Sequence, residues 1–295
     1  MGFFEAIFLG LVQGLTEFLP VSSSGHLALV QSIFPSLRGT PLMFDVLLHC
    51  GTLVAVIAAF WKDVAALLRE FGRMIAGLFG KKGKKNLLTR RLIILIVAGT
   101  LPLVLAILLG GIVKDTMRQP LAVGLLLCAT GLLLFLADRL PKGQKNDKTA
   151  KLTDALVVGV CQGVAVLPGL SRAGATISGG LFCKFDRSFA VRFSFLLSIP
   201  AVLGATLLQV FEALNPKTAI EAAAAAALEG YGVLPLYFFP CLFGMLVAGF
   251  TGYIAIGLVR RLASRGKFGG FAYYCLGLGF ITSLLSLIFP PVSVF

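Results

Sequence analysis

Runs of apolar residues long enough to cross a bilayer recur along this chain, and they restrict its fold more than any other feature. A membrane-crossing helix needs about 20 predominantly apolar residues, and uninterrupted runs of that kind lie at 41–61, 88–111, 120–139, 189–211, 236–259 and 270–290. The chain is 58% hydrophobic and only 13% charged, against about 25% charged in soluble domains. The runs do not alternate apolar with polar, which excludes a transmembrane barrel. The expected fold is therefore an all-α polytopic membrane protein, with residues 1–295 forming a single integral membrane domain.

A formal net charge of +13 would suit a nucleic-acid binder, but its placement argues against one. The cations cluster at "KKGKK" (Lys81 to Lys85), "PKGQKNDKTAK" (Pro141 to Lys151) and "RRLASRGK" (Arg260 to Lys267), each between apolar runs. Cytoplasmic loops of membrane proteins have this character, and membrane lipids rather than nucleic acid are the expected partners. The first ten residues hold Glu5 and no Lys or Arg, unlike the basic start of a cleaved signal peptide. The six cysteines stand singly in apolar sequence and read as packing residues, not as a disulfide or metal framework.

Two further apolar stretches, 2–37 and 152–186, are interrupted midway. The first breaks at Pro20 within "VQGLTEFLPVSSSGH" (Val12 to His26), the second within "LPGLSRAGAT" (Leu167 to Thr176). Each half is too short to cross, so a re-entrant helical hairpin is expected in each. Irregular backbone at membrane depth survives only when buried in protein or facing a wet cavity. The two stretches also match each other at a fixed offset of 149, as Gly10 with Gly159, Gln13 with Gln162, Gly14 with Gly163, Ser22 with Ser171 and Gly25 with Gly174. Phe44, Leu47 and Leu48 keep the register with Phe193, Leu196 and Leu197.

The chain therefore reads as two copies of one unit, about 1–140 and about 152–291, each with one hairpin and three spans. Three is odd, so the second copy is expected upside down relative to the first, both termini on the outer face and the hairpin tips meeting near the midplane. Inverted-repeat membrane proteins build their sites in this way. The stretch "EALNPKTAIEAAAAAALEGYG" (Glu212 to Gly232) suits the outer face as a short surface helix.

The first tip offers Gln13, Glu17, Ser22, Ser23, Ser24 and His26; the second offers Ser171, Arg172, Thr176 and Ser178. Gln13 and Glu17, four apart, share a helix face. The serines after Pro20 and the segment "GLSRAG" each open a helix whose free N–H groups favour an anion, although serines there also serve as plain N-caps. Arg172 is a cation able to grip phosphate with two N–H groups. Charged groups at membrane depth cost several kcal/mol on even the lenient insertion scale, so their concentration in the two breaks points to function. The set suits phosphoryl chemistry: Ser22, Ser24, Ser171, Thr176 and Arg172 hold phosphate, and Ser23 or His26 attacks phosphorus. The remaining titratable group shuttles protons, His26 being the one poised near neutral pH. Glu17 with Gln13 can hold a divalent cation whose shell the substrate completes. Asp45 is a weaker supporting candidate, and His49, isolated in "LLHCG", reads as structural.

These strings resemble those of the bacterial undecaprenyl-diphosphate phosphatases of the bacitracin-resistance type. The resemblance is carried by "QGLTEFLPVSSSGH" (Gln13 to His26), "PGLSRAGATISGG" (Pro168 to Gly180) and "FSFLLSIP" (Phe193 to Pro200) and extends through nearly the whole chain. It implies a multi-pass enzyme of the bacterial cytoplasmic (inner) membrane. Its reaction would be the hydrolysis of undecaprenyl diphosphate to undecaprenyl phosphate and inorganic phosphate, for peptidoglycan synthesis, with Mg²⁺ or Ca²⁺. The family's catalytic positions fall on Glu17, Ser23, His26 and Arg172. One departure is visible: Ala173 stands where relatives carry a serine; the family's motif has Glu or Gln where Gln13 stands, and the glutamine removes a possible negative metal ligand. A transporter or flippase of an anionic polyprenyl lipid is the alternative reading, since inverted repeats with broken helices are typical of transporters. A homodimer is compatible with either reading.

Overall fold

The computed structural model describes residues 2–34, 37, 42–79, 85–104, 110–117, 119–214, 235–266 and 268–288. All the extended secondary structure among them is helical, apart from one isolated bridge between Lys145 and Phe185. In chain order the helices are α1 (Phe3–Phe18), α2 (Ser23–Ile33), α3 (Leu42–Ala59), α4 (Trp61–Leu78), α5 (Leu87–Thr100) and α6 (Gly110–Met117). They continue with α7 (Pro120–Asp138), α8 (Leu152–Val164), α9 (Arg172–Phe182), α10 (Arg187–Leu214), α11 (Pro235–Ser264) and α12 (Gly269–Ile288). The alanine-rich stretch read as a surface helix, the chain ends and most of "KKGKK" lie outside the described residues.

Four helices, α7, α10, α11 and α12, are long and apolar enough to cross a membrane. A bent pair, α3 with α4, adds a fifth if the two count as one span. Two of the six expected spans therefore differ from expectation. In the run 88–111, α5 ends at Thr100 and a 3₁₀ turn follows at Leu101–Leu103, while residues 105–109 lie outside the described residues. Pro102 within that turn has no N–H to donate and its ring crowds the carbonyl one turn back, which weakens the α-helical ladder at this point. The run 41–61 ends at Ala59, where the chain turns by 89° into α4. Helix α4, which the sequence reading leaves unassigned, intersperses Lys62, Asp63, Arg69, Glu70 and Arg73 with Leu67, Leu68 and Ile75. Such an amphipathic pattern is the one that helices lying along a membrane interface carry.

Both interrupted stretches fold as two helices around a break. In the first, α1 ends at Phe18 and α2 starts at Ser23; Ser22, with φ of 72°, caps α2 by accepting from the Gly25 N–H at 3.2 Å. In the second, α8 ends at Val164 and α9 starts at Arg172, with Ser171 accepting from the Gly174 N–H at 3.0 Å. Helix α9 holds together despite its three glycines because it is wholly enclosed from Ala173 to Leu181, so packing overrides a poor intrinsic propensity.

The helix pairings exchange between the halves. Helix α1 packs on α11 and α8 packs on α5; α3 lies on α11 and on α10, α10 on α5, and α7 on α12. At the first two contacts the backbones touch. A Cβ on Gly10 would strike the Gly244 carbonyl, and one on Gly159 would strike the Gly99 carbonyl. Gly124 and Gly279 likewise face each other's carbonyls between α7 and α12. Small residues at crossings let membrane helices approach closely enough for dispersion to hold them together. Large apolar side chains such as Phe250, Tyr253, Phe280 and Leu132 point outward, as a lipid-facing surface requires.

Loop 141–151 is tied down rather than free. Lys145 exchanges backbone hydrogen bonds with Lys184 and Asp186, and its ammonium reaches both Asp154 oxygens at 2.8 and 2.9 Å. Arg91 donates to the Ala150 carbonyl at 2.7 Å.

Candidate functional site

The two breaks meet. A Cβ placed on Gly25, at the start of α2, would stand 3.1 Å from the Gly169 Cα in the second break. Gly169 itself has a φ of +101°, a conformation open to glycine and costly to other residues. The tips thus approach backbone to backbone, and a larger residue at either point would pry them apart.

Glu17 is the hub of what lies between them. Its Oε1 accepts from Arg172 Nη2 at 2.7 Å, and its Oε2 accepts from Ser23 Oγ at 2.7 Å and from Gln13 Nε2 at 3.1 Å. The carboxylate is 8% exposed as a residue, and a buried carboxylate is tolerable only with such partners. Helix α1 delivers Gln13 and Glu17 one turn apart, the Pro20 break brings Ser23 back over them, and the N-terminus of α9 supplies Arg172.

His26 occupies the next position around α2 from Ser22. Its Nδ1 lies 2.7 Å from the Ser22 carbonyl and its Nε2 lies 2.8 Å from the Tyr274 hydroxyl. A carbonyl can only accept, so Nδ1 carries the hydrogen in that contact, and Nε2 of the neutral ring accepts from Tyr274. The two rings also stack, with centroids 5.7 Å apart and planes 12° from parallel. Tyr274 on α12 is absent from the sequence reading; it is 248 residues away and lies in an apolar run where a tyrosine has no distinguishing neighbours.

Three of the proposed phosphate ligands have other engagements. Ser171 caps α9 with its hydroxyl and donates its N–H to Thr130 Oγ1 at 2.9 Å. Thr176 donates back to the Arg172 carbonyl at 2.8 Å and meets Ser194 Oγ at 2.6 Å. Ser22 is the cap of α2 and 3% exposed. These hydroxyls shape the tips rather than lie open to a ligand. Ser24, 3.4 Å from Ser22 Oγ, and Ser23 are half-buried and nearer to open space. Ser178, further along α9, is buried with no hydrogen-bond partner among the described residues. Thr130, not singled out in the sequence, ties the second tip to α7 by also donating to the Gly169 carbonyl at 3.0 Å.

His49, read as structural, has its Nδ1 2.8 Å from the Asp45 carbonyl oxygen one turn back.

A divalent cation at this place would find few acidic ligands. No cluster of three or more His, Cys, Asp or Glu exists among the described residues. Gln13 nevertheless leaves Oε1 buried and without a hydrogen bond, one helical turn from the Glu17 carboxylate. An orphaned amide oxygen beside a carboxylate is a fitting, if sparse, oxygen set for a hard cation.

The chain matches the family described as bacitracin resistance protein BacA over residues 6–281. Curated relatives named undecaprenyl-diphosphatase align along almost their full length. The one from Methanosphaera stadtmanae is 39% identical over 292 residues, covering 96% of this chain and 98% of the relative. That from Halothermothrix orenii is 37% identical over 290 residues, covering 98% and 100%. That from Carboxydothermus hydrogenoformans is 39% identical over 284 residues, covering 95% of each. With broken helices converging on a buried Glu–Arg–Ser junction and full-length matches of this kind, the chain belongs to the bacitracin resistance protein BacA family.

Proposed function

We propose that this protein hydrolyses undecaprenyl diphosphate to undecaprenyl phosphate and inorganic phosphate, recycling the lipid carrier of peptidoglycan synthesis from within the cytoplasmic membrane. The observation that carries the reading is the Ser23–Glu17–Arg172 junction, a hydroxyl, a base and a phosphate-gripping cation joined at 2.7 Å on either side of one carboxylate.

The terminal phosphate competes with Glu17 for Arg172, whose planar fork suits two phosphate oxygens. First-turn N–H groups of α2 and α9, which lack intrahelical partners, add positive potential. Once Arg172 turns to phosphate, Glu17 is freed to accept the Ser23 proton, and Ser23 Oγ attacks the terminal phosphorus. The anhydride P–O bond breaks, a serine phosphoester forms, and undecaprenyl phosphate leaves with the bonding electrons. Water then attacks the phosphoester and gives one proton to a base while Glu17 returns the serine its own; His26 Nε2, which accepts from the Tyr274 hydroxyl, is the imidazole nitrogen that takes the water proton once that bond opens. Most of the acceleration comes from positioning and from charge neutralisation. Glu17 and Gln13 Oε1 would hold Mg²⁺ or Ca²⁺, which neutralises phosphate charge when bound.

The fold around this site supports an inverted repeat. Equivalent glycines at the 149-residue offset, Gly10 and Gly159, make equivalent backbone contacts with the opposite half. Equivalent serines, Ser22 and Ser171, cap equivalent helices. In this reading α3 and α5 complete six spans, the hairpins enter from opposite faces, and both termini lie outside.

Purified protein should release inorganic phosphate from a polyprenyl diphosphate with Mg²⁺ or Ca²⁺ present and stop when the cation is chelated. Protein that releases none, while vesicles containing it move the lipid between leaflets, is a transporter and not a phosphatase. Release that survives chelation removes the cation alone.

A further inference from the structure

A cavity of about 500 Å³ lies between the N-terminal end of α10, the C-terminal end of α11 and the bend between α3 and α4. Three arginines line it, Arg192, Arg260 and Arg261, with one carboxylate, Asp63, and the hydroxyl residues Ser188 and Ser264. Arg192 is already neutralised, by Asp63 at 2.7 Å and Asp147 at 3.4 Å. Arg260 and Arg261 have no carboxylate partner among the described residues; Arg260 rests over the Phe60 ring at 5.3 Å. The cavity therefore presents two uncompensated guanidinium groups beside a neutralised one. Its remaining walls, Phe60, Val191 and Ala263, are apolar.

The position matters as much as the charge. The ends of membrane-crossing helices lie at head-group level, and Trp61, 61% exposed, stands next to the cavity wall as interfacial tryptophans do. Phe60 packs edge-on against Phe195 at 5.9 Å, and Phe195 against Phe18 at 5.6 Å. This stack of rings fills the space between the cavity and the end of α1, so the cavity is separate from the Glu17 site.

We propose that this cavity binds the phosphate of an anionic glycerophospholipid, gripped by Arg260 and Arg261 while its acyl chains follow the apolar outer faces of α10 and α11. Arginine pairs favour phosphate because the fork matches its oxygens, and apolar walls continuous with a lipid-facing surface favour a phosphate that carries a tail. The same guanidinium chemistry would accept free inorganic phosphate, and the test separates the two sources. It does not depend on the phosphatase reading.

Full-length protein in nanodiscs of mixed phosphatidylglycerol and phosphatidylcholine, released and weighed intact by native mass spectrometry, should retain one phosphatidylglycerol in preference to phosphatidylcholine. The double variant Arg260→Ala/Arg261→Ala should lose that retention by about tenfold or more, the scale of charged hydrogen bonds. Both side chains are exposed, so the fold should survive, and an unchanged melting temperature checks it. As a control, Lys142→Ala/Lys148→Ala, which removes two exposed lysines outside the cavity, should leave retention intact. Equal retention in the arginine variant, or an equal loss in the lysine variant, overturns the site. Binding of millimolar inorganic phosphate without lipid retention overturns the lipid assignment.

Discussion

Arg172 and Glu17, 155 residues apart in sequence, are joined at 2.7 Å across the meeting point of two broken apolar stretches. Each group is a liability there alone, and together they neutralise one another; in the proposed reaction phosphate takes the place of Glu17 on Arg172. Replacing Arg172 by Ala should lower turnover by about 10²–10³-fold, as loss of a transition-state donor does. Arg172→Lys should recover little, since it keeps the charge and loses the fork. Phosphate release by variants whose melting is checked in detergent measures both. Turnover within about threefold of the unaltered protein would take Arg172 out of the reaction.

The hydrogen bond from Ser23 Oγ to Glu17 Oε2 favours Ser23 over His26 as nucleophile. His26 is held by Ser22 and Tyr274 and makes no hydrogen bond to Glu17 or Arg172 among the described residues. Ser23→Ala should lower turnover by at least about 10²-fold. A phosphoryl-enzyme trapped by acid quench should be acid-stable, as a serine phosphoester is. An acid-labile adduct, still formed by Ser23→Ala, would assign the attack to His26.

The convergence of the tips was legible in the sequence because membrane burial makes polar residues costly. Glu17, Arg172 and the serines stood out against apolar surroundings, and the offset of 149, which matches Ser22 with Ser171 and Gly25 with Gly174, paired the two breaks that hold them. What the sequence hid follows from the same physics. Tyr274 and Thr130 are amphipathic residues that an apolar run tolerates without a break, so their contacts with His26 and Ser171 leave no local signal. The capping bond of Ser171 and the contact of Thr176 with Ser194 left no separate sequence signal, because a hydroxyl capping a helix and one gripping phosphate occupy the same sequence positions. The 89° bend after Ala59 was masked by Trp61-Lys62, which reads as a plain end of span, and hydropathy alone does not distinguish the turn of α4 from a loop.

Tyr274 offers a test of how His26 is positioned. Tyr274→Phe keeps the stacked ring and removes the hydroxyl that donates to Nε2. One neutral hydrogen bond is worth about 1 kcal/mol, so turnover should fall about fivefold with substrate affinity little changed. Steady-state kinetics on a polyprenyl diphosphate separates the two. A rise in KM alone would make Tyr274 a binding residue and not a support for the imidazole.

The glycine contacts allow the repeat to be tested without reference to activity. Gly10 and Gly159 occupy equivalent places on α1 and α8, each against a carbonyl of the other half, whereas a Cβ on Gly204 in α10 would meet nothing within 4 Å. Gly10→Ala and Gly159→Ala should each destabilise by about 1–3 kcal/mol through overpacking. The double variant should lose close to the sum, because the two contacts share no partner. Gly204→Ala should be neutral or stabilising, as alanine is the better helix former. Thermal or denaturant unfolding in one detergent ranks the four proteins. If Gly159→Ala is harmless while Gly10→Ala is costly, the two contacts are not equivalent, and the pairing of α8 with α5 is not the counterpart of α1 with α11.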